Sequence, residues 1–413
     1  VAKTGMFASL RVRNYRFFAA GQVVSLIGTW MQRIAQDWLV LDLSGSSPVA
    51  LGIAAALQFG PTLGLSLWGG VLADRYDKRK LLVAVQSGMG LCALVLGTLD
   101  VTHLVRLWQV YLLCFLLGCF SALDVPIRQA FVSELVGPDQ LTNAVGLNSM
   151  TFNLARIVGP SVAGVMIAGV GTGWVFLLNA ASFAAVLTGL LVMDPALLFR
   201  SERVARARGQ LREGLRYVRG QPTLISVLAL VFLVSTLGLN FYLTLPLLVR
   251  NVFGGGPKDY GALTTVLAVG SLLGAAVAAR RTGKPRLRVV YGAALAFGLL
   301  EIVVGFMPNA LATAIVLAPT GLAALVFTTA ANASVQLSVS PTMRGRVMGL
   351  YILLFLGGTP LGAPLLGALG ERFGGRAPTI VGGVASVLSV LLVLLLRYLT
   401  TSPRSSRSVV ETS

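Results

Sequence analysis

The chain has 413 residues, 55% of them hydrophobic and only 12% charged, with a formal net charge of +18 and a mean hydropathy of +0.82. Soluble domains carry about 25% charged residues, so an ordinary soluble fold is excluded. Apolar runs of roughly 20 residues, each able to carry a helix across about 30 Å of hydrocarbon, recur from Phe17 almost to the C-terminus, and the alternating ten-residue segments of a membrane β-barrel are absent.

The N-terminus is basic (Lys3, Arg11, Arg13, Arg16), but the apolar run that follows is too long for a signal-peptide core and reads as a first spanning helix. Predicted helices follow at about 15–41, 49–73, 81–100, 107–126, 141–168 and 173–193, then 222–249, 260–280, 288–307, 310–333, 345–368 and 377–397. The expected fold is an all-α membrane protein of twelve transmembrane helices in two six-helix bundles, 1–193 and 222–399. Residues 194–221 form an arginine-rich cytoplasmic linker with an interfacial helix, and 400–413 a disordered tail.

A net positive charge raises the question of nucleic acid, and its placement answers it. Most of the 33 Lys and Arg fall in the two termini and the even-numbered loops. That is the positive-inside asymmetry, which puts both termini in the cytosol of a multi-pass protein in the cell (inner) membrane. Cys92, Cys114 and Cys119 lie inside apolar runs, so no disulfide framework or zinc site is indicated. His103 is the sole histidine, and no Ser/His/Asp set or metal-ligand cluster occurs; no enzyme and no cofactor is expected. A phosphate loop is missing as well, since Gly283-Lys284 is followed by Pro285 and Ala278 stands where its first glycine belongs.

The two halves are duplicated. Pro138, Gly146, Leu147, Gly159, Gly164 and Gly171 recur 203 positions later as Pro341, Gly349, Leu350, Gly362, Gly367 and Gly374. A second match, offset by 205, joins Ser66, Leu67, Gly69 and Arg75 to Ser271, Leu272, Gly274 and Arg280. Duplicated bundles fit a secondary transporter whose central site is exposed alternately to either side.

Between two of the apolar runs lies the densely charged connector Gly70-Val-Leu-Ala-Asp74-Arg75-Tyr-Asp77-Lys78-Arg79-Lys80. It resembles the loop signature of the major facilitator superfamily, departing only at Asp77, where the family usually has glycine. By that resemblance Gly70, Asp74, Arg75 and Arg79 form a conformational gate, with Asp74 and Arg75 contacting the start of helix 345–368 and helix 107–126. Asp124 and Arg128 sit beside it and are assigned to the same gate. The run Gly146, Ala155, Gly159, Pro160, Ala163, Gly164 is similar to the superfamily's antiporter motif; its small residues admit a close neighbour, by analogy helix 260–280. The stretch Asp124-Val-Pro-Ile-Arg128-Gln-Ala with Glu134-Leu135 resembles the bacterial branch of drug:proton antiporters and the enterobactin exporter.

Ionisable groups within spans cost several kcal/mol unless paired or facing a water-filled cavity. They are Arg33 and Asp37, Arg156, and Glu301. Arg33 and Asp37 are four apart and share a helix face, so an ion pair is expected, with Asp37 alternating between a cation and a proton; Glu301 is the second carboxyl for that role. Gln22, Gln36, Gln58, Asn148, Asn153, Asn240, Phe241 and Tyr242 are the expected substrate contacts, a mixed wall suited to a partly apolar ligand. The function so read is proton-coupled export of hydrophobic or amphipathic small molecules such as drugs or siderophores, by a monomer in the lipid bilayer that binds no nucleic acid. An uptake symporter, a lipid or lysolipid translocator and a non-transporting membrane receptor are the alternatives.

Overall fold

Capping residues set the ends of the helices. Ser47 accepts from the amide of Ala50 at 3.3 Å with Pro48 in the first turn, Asp77 from Lys80 at 3.0 Å, and Asn309 from Ala312 at 2.9 Å. Each satisfies an amide that the first helical turn leaves free. Helix ends at Gly171 and Gly374 take φ of 88° and 89°, a left-handed conformation that only glycine adopts without strain.

The computed structural model describes residues 5, 7–199, 210–280, 283–340 and 342–401. The helices are α1 (Arg13–Leu43), α2 (Pro48–Arg75), α3 (Lys78–Val101), α4 (Leu107–Val170), α5 (Thr172–Val192), α6 (Gln210–Arg219), α7 (Pro222–Leu237), α8 (Phe241–Leu247), α9 (Pro257–Ala279), α10 (Leu287–Phe306), α11 (Ala310–Ser338), α12 (Arg344–Phe373) and α13 (Ala377–Thr401). Among the described residues there is no strand, and ten helical stretches are long and apolar enough to cross a membrane. Their outer faces carry large bare side chains, such as Leu311 at 75% exposure and Ile315 at 70%, which hydrocarbon accommodates and water would not. Lys3, Arg200, Arg203, Arg206, Arg208, Pro341 and the tail from 402 lie outside the described residues.

Two expected boundaries are corrected. The helix ending at 126 runs on through Pro126, and the break falls at Gly137 (φ 69°, ψ 178°) immediately before Pro138, so Asp124 and Arg128 lie one turn apart on a single helix. The expected helix 222–249 is interrupted at Gly238–Asn240 and ends in a π-turn, Leu248–Val252. Pro246 has no N–H for the carbonyl of Tyr242, and α12 presses so closely that a Cβ on Gly362 would collide with the carbonyl oxygen of Thr236.

At one end of the molecule the duplicated sequence produces duplicated contacts. A Cβ placed on Gly261 of α9 would lie 2.4 Å from the carbonyl oxygen of Pro160, and one on Gly52 of α2 would lie 2.6 Å from that of Ala363, 203 positions further on. Gly164 meets the carbonyl of Pro257 at 2.7 Å and Gly367 that of Pro48 at 2.6 Å in the same sense. At the opposite end Gly146, Gly345 and Gly349 face open space. We refer to these as the closed and open ends. The amphipathic α6 lies at the open end, where Glu213 pairs with Arg346 of α12 at 2.5 Å.

Candidate functional site

The space between α1, α2 and α4 on one side and α8, α9, α11 and α12 on the other is a cavity of about 1080 Å3 that extends to the open end. Of the expected substrate contacts, Gln22, Gln58, Asn148, Asn153, Phe241 and Tyr242 line it. Gln36 stands behind Gln58, donating to its Oε1 at 2.8 Å, and Asn240 is turned away to the carbonyl of Thr236 at 2.7 Å. Phe241 and Tyr242 are the first two residues of α8, directly after the break.

The expected Arg33–Asp37 ion pair does not form. Arg33 instead points into the cavity, its guanidinium 4.3 Å from the ring centre of Tyr242, 4.7 Å from that of Phe59 and 5.7 Å from that of Trp30. Asp37, 7% exposed, accepts from the hydroxyl of Tyr260 at 2.7 Å. Residues four apart can meet, but rotamer choice decides whether they do, and here three aromatic faces compete for the cation. Arg156 also lines the cavity; its Nη2 lies 3.4 Å from Asn153 Oδ1 and its Nε has no partner. Glu301 is elsewhere. It is fully buried between α10, α13 and the end of α7, close to Gly382 and Leu237, with both oxygens unpartnered.

Near the open end, Asp124 pairs with Arg128, accepts from Gln86 at 2.7 Å, and Arg128 donates to Gln22 at 3.2 Å. This chain of polar groups joins α1, α3 and α4. In the charged connector, Asp77 takes φ of −63° as the cap of α3, so the loss of glycine imposes no left-handed strain. Lys78 reaches Glu134 of α4 at 2.6 Å and Arg79 donates to the carbonyls of Leu190 and Leu191 on α5 at 2.6 and 2.9 Å. Asp74 and Arg75 are exposed and enter none of the ion pairs among the described residues. Gly70 is partly exposed on the last turns of α2. In the helix after Gly137, Pro160 and Gly164 lie against Gly261 of α9, Gly159 against Trp30, Ala155 and Ala163 are buried, and Gly146 faces open space.

Several participants left no recognisable mark on the sequence. Tyr260 at the start of a span reads as an interfacial aromatic, and only the packing of α9 on α4 brings it to Asp37. Gln86, Gln32 and Asn179 are likewise found only in space, the last two hydrogen-bonded to one another. At the closed end a latch crosses between the halves: Arg250 pairs with Asp42 at 2.9 Å, Asn251 donates to the Ser46 carbonyl at 3.0 Å, and Ser47 donates to Glu371 at 3.0 Å.

A polytopic helical bundle of duplicated halves around a central cavity sealed at one end is the architecture that secondary transporters use. The chain belongs to the transmembrane secretion effectors of the major facilitator type, whose family model matches residues 4–409. It is similar to the staphyloferrin A transporter of Staphylococcus aureus (26% identity over 90% of this chain and 93% of that protein) and to the enterobactin exporter EntS of Shigella boydii (28% identity over 95% of each). Among solved structures, a bacterial homologue of the human lysosomal transporter Spinster, in an inward-facing and occupied conformation, superposes with a TM-score of 0.73 at 16% identity, over 94% of this chain and 97% of that one.

Proposed function

We propose that this protein is a proton-coupled exporter of amphipathic small molecules, of the siderophore or drug type, working by alternating access. The observation that carries the reading is the cavity between the duplicated halves, sealed at one end by paired glycine contacts and open at the other. Twelve crossings in two bundles follow if two are added to the ten apolar stretches. One is α1, 31 residues long. The other comes from the division of α4 at Gly137, since its 64 residues would extend about 96 Å. Both termini then lie in the cytosol of the inner membrane and the cavity opens inward; the protein works as a monomer.

Tyr260 supplies the link between substrate and proton, because it is a buried residue that borders the cavity and its hydroxyl donates to Asp37. A charged Asp37 on α1 holds Tyr260 of α9 and so ties the halves together at the closed end. Substrate entering the cavity displaces Tyr260 and loosens that tie. Once the cavity opens outward, Asp37 takes up a proton from that side, and it gives the proton up to the cytosolic side as the closed end re-forms and the charged carboxylate holds Tyr260 again. One proton moving down 100 mV supplies about 2.3 kcal/mol. Glu301 lies outside the cavity lining, whereas Asp37 bonds a residue that borders it, so the proton role is assigned to Asp37; Arg33 and Arg156 act on the substrate side. The Asp124–Arg128 pair and the charged connector at residues 70–80 form the inner gate that engages α12 when the open end closes.

The test is pH-gradient-driven flux in proteoliposomes with dyes, antibiotics and catechol siderophores, comparing wild type with Asp37→Asn. Asp37→Asn is expected to abolish proton-driven flux while the protein stays folded. Retained coupling would overturn the assignment, and a complete absence of flux in either gradient direction would overturn export.

A further inference from the structure

The charges around the cavity are unequal in number and in position. Arg33, Arg128 and Arg156 line it against one carboxylate, Asp124, which is already paired with Arg128. Asp37 is turned to Tyr260 and does not line the cavity. Neither Arg33 nor Arg156 forms an ion pair among the described residues, and Asp37, outside the lining, acts on Arg33 only through space. All four charged groups stand on α1 and α4; the opposite wall, from α7 to α12, contributes aromatic, aliphatic and hydroxyl side chains, such as Phe241, Tyr242, Thr264 and Phe355, and no formal charge.

The two arginines share Tyr242 as a neighbour, Arg33 over its ring and Arg156 through an electrostatic interaction. Arg33 lies over Tyr242, and Phe152, one helical turn before Arg156, meets Trp30 edge-on at 5.7 Å, with Trp30 6.4 Å from Tyr242. Contacts with ring faces offset part of the cost of holding a cation in a low-dielectric site, but they leave the N–H donors of a guanidinium without acceptors. Arg33 makes no hydrogen bond among the described residues, and Arg156 makes a single long one. A cavity with cations along one wall focuses a positive potential on its contents. Such a wall repels cations and binds carboxylates or other planar oxyanions in a fork of N–H groups.

We infer that the cavity selects amphipathic anions, with the acidic group held between Arg33 and Arg156 and the apolar body against the uncharged wall of α8, α9 and α12. This rests on the reading of the cavity as the substrate site and narrows its ligand: permanently cationic lipophiles, the usual dyes of efflux assays, are disfavoured.

Equilibrium binding to the detergent-solubilised full chain tests this without any gradient, using two fluorophores with the same xanthene skeleton, dianionic fluorescein and cationic rhodamine 6G. Fluorescein is expected to bind more tightly than rhodamine 6G. Arg33→Gln and Arg156→Gln should each weaken fluorescein about tenfold, the scale of one lost hydrogen bond to a charged group, while leaving rhodamine 6G binding no weaker. Arg33→Lys should recover part of the loss, and an unchanged melting temperature separates these effects from misfolding. Equal or tighter binding of rhodamine 6G, no binding of fluorescein, or a fluorescein affinity that survives either glutamine substitution overturns the inference. Fluorescein binding with no flux in liposomes would sink export and leave the anion site standing. Export of rhodamine 6G without fluorescein binding would do the reverse.

Discussion

Substituting Gly261 by alanine should drive the closed end apart. The added Cβ would sit 2.4 Å from the Pro160 carbonyl oxygen and 3.0 Å from the Gly164 Cα, whereas ordinary contact begins near 3.4 Å. Both obstacles are helix backbone, so the overlap of about 1 Å is relieved by moving α9 away from α4 and not by a side-chain rotation. Overpacking on this scale costs about 1–3 kcal/mol. Charged to one conformation alone, it shifts the balance between the two access states by roughly 5- to 150-fold. By comparison the Arg250–Asp42 pair at the same end is 36% and 43% exposed, and such pairs contribute about 0–1 kcal/mol, so Arg250→Ala should shift the balance less than about fivefold. Alkylation of a cysteine introduced at Ser46, read against melting temperature, measures the opening. The duplicated contact gives an internal control, because Gly52→Ala places its Cβ 2.6 Å from the Ala363 carbonyl and should act alike. Unchanged alkylation in both variants, or a larger effect from Arg250→Ala than from either, would refute the argument that glycine packing is what seals this end.

Three further outcomes follow from the geometry. Tyr260→Phe removes the donor to Asp37 while keeping the buried ring, so ligand binding should persist and proton-driven flux should fall; flux measured with and without a pH gradient separates the two. Glu301→Gln keeps the volume of a fully buried side chain that lies outside the cavity, so coupling should survive intact, and loss of coupling in that variant alone would move the proton role to Glu301. Asp77→Ala deletes the cap of α3 and should cost about 1 kcal/mol, with Asp77→Gly costing only a few tenths; denaturation midpoints of the two variants compare them.

Hydrophobic run length and loop charge are local properties, which is why membrane residence, the position of nearly every helix and the duplication could be read from the chain itself. Gly171 and Gly374, matched as letters 203 positions apart, prove matched in backbone as well, at φ 88° and 89°. Six of the eight expected contact positions, Gln22, Gln58, Asn148, Asn153, Phe241 and Tyr242, line the cavity, a placement that the family resemblance implied and that Gln36 and Asn240 do not share. The pairing of the charged groups was not legible. Helix periodicity puts Arg33 and Asp37 on one face, but their partners are Tyr242 and Tyr260, more than 200 residues away in sequence. Only the docking of α8 and α9 onto α1 determines that the cation meets aromatic rings and the carboxylate meets a hydroxyl. The break at Gly238–Asn240 has one local source, Pro246, and lies beside a close approach of α12 that the chain alone does not show. Sequence determined which segments enter the bilayer, because that depends on each segment against solvent. Tertiary structure decided which charges are free to act, because that depends on what each one is packed against.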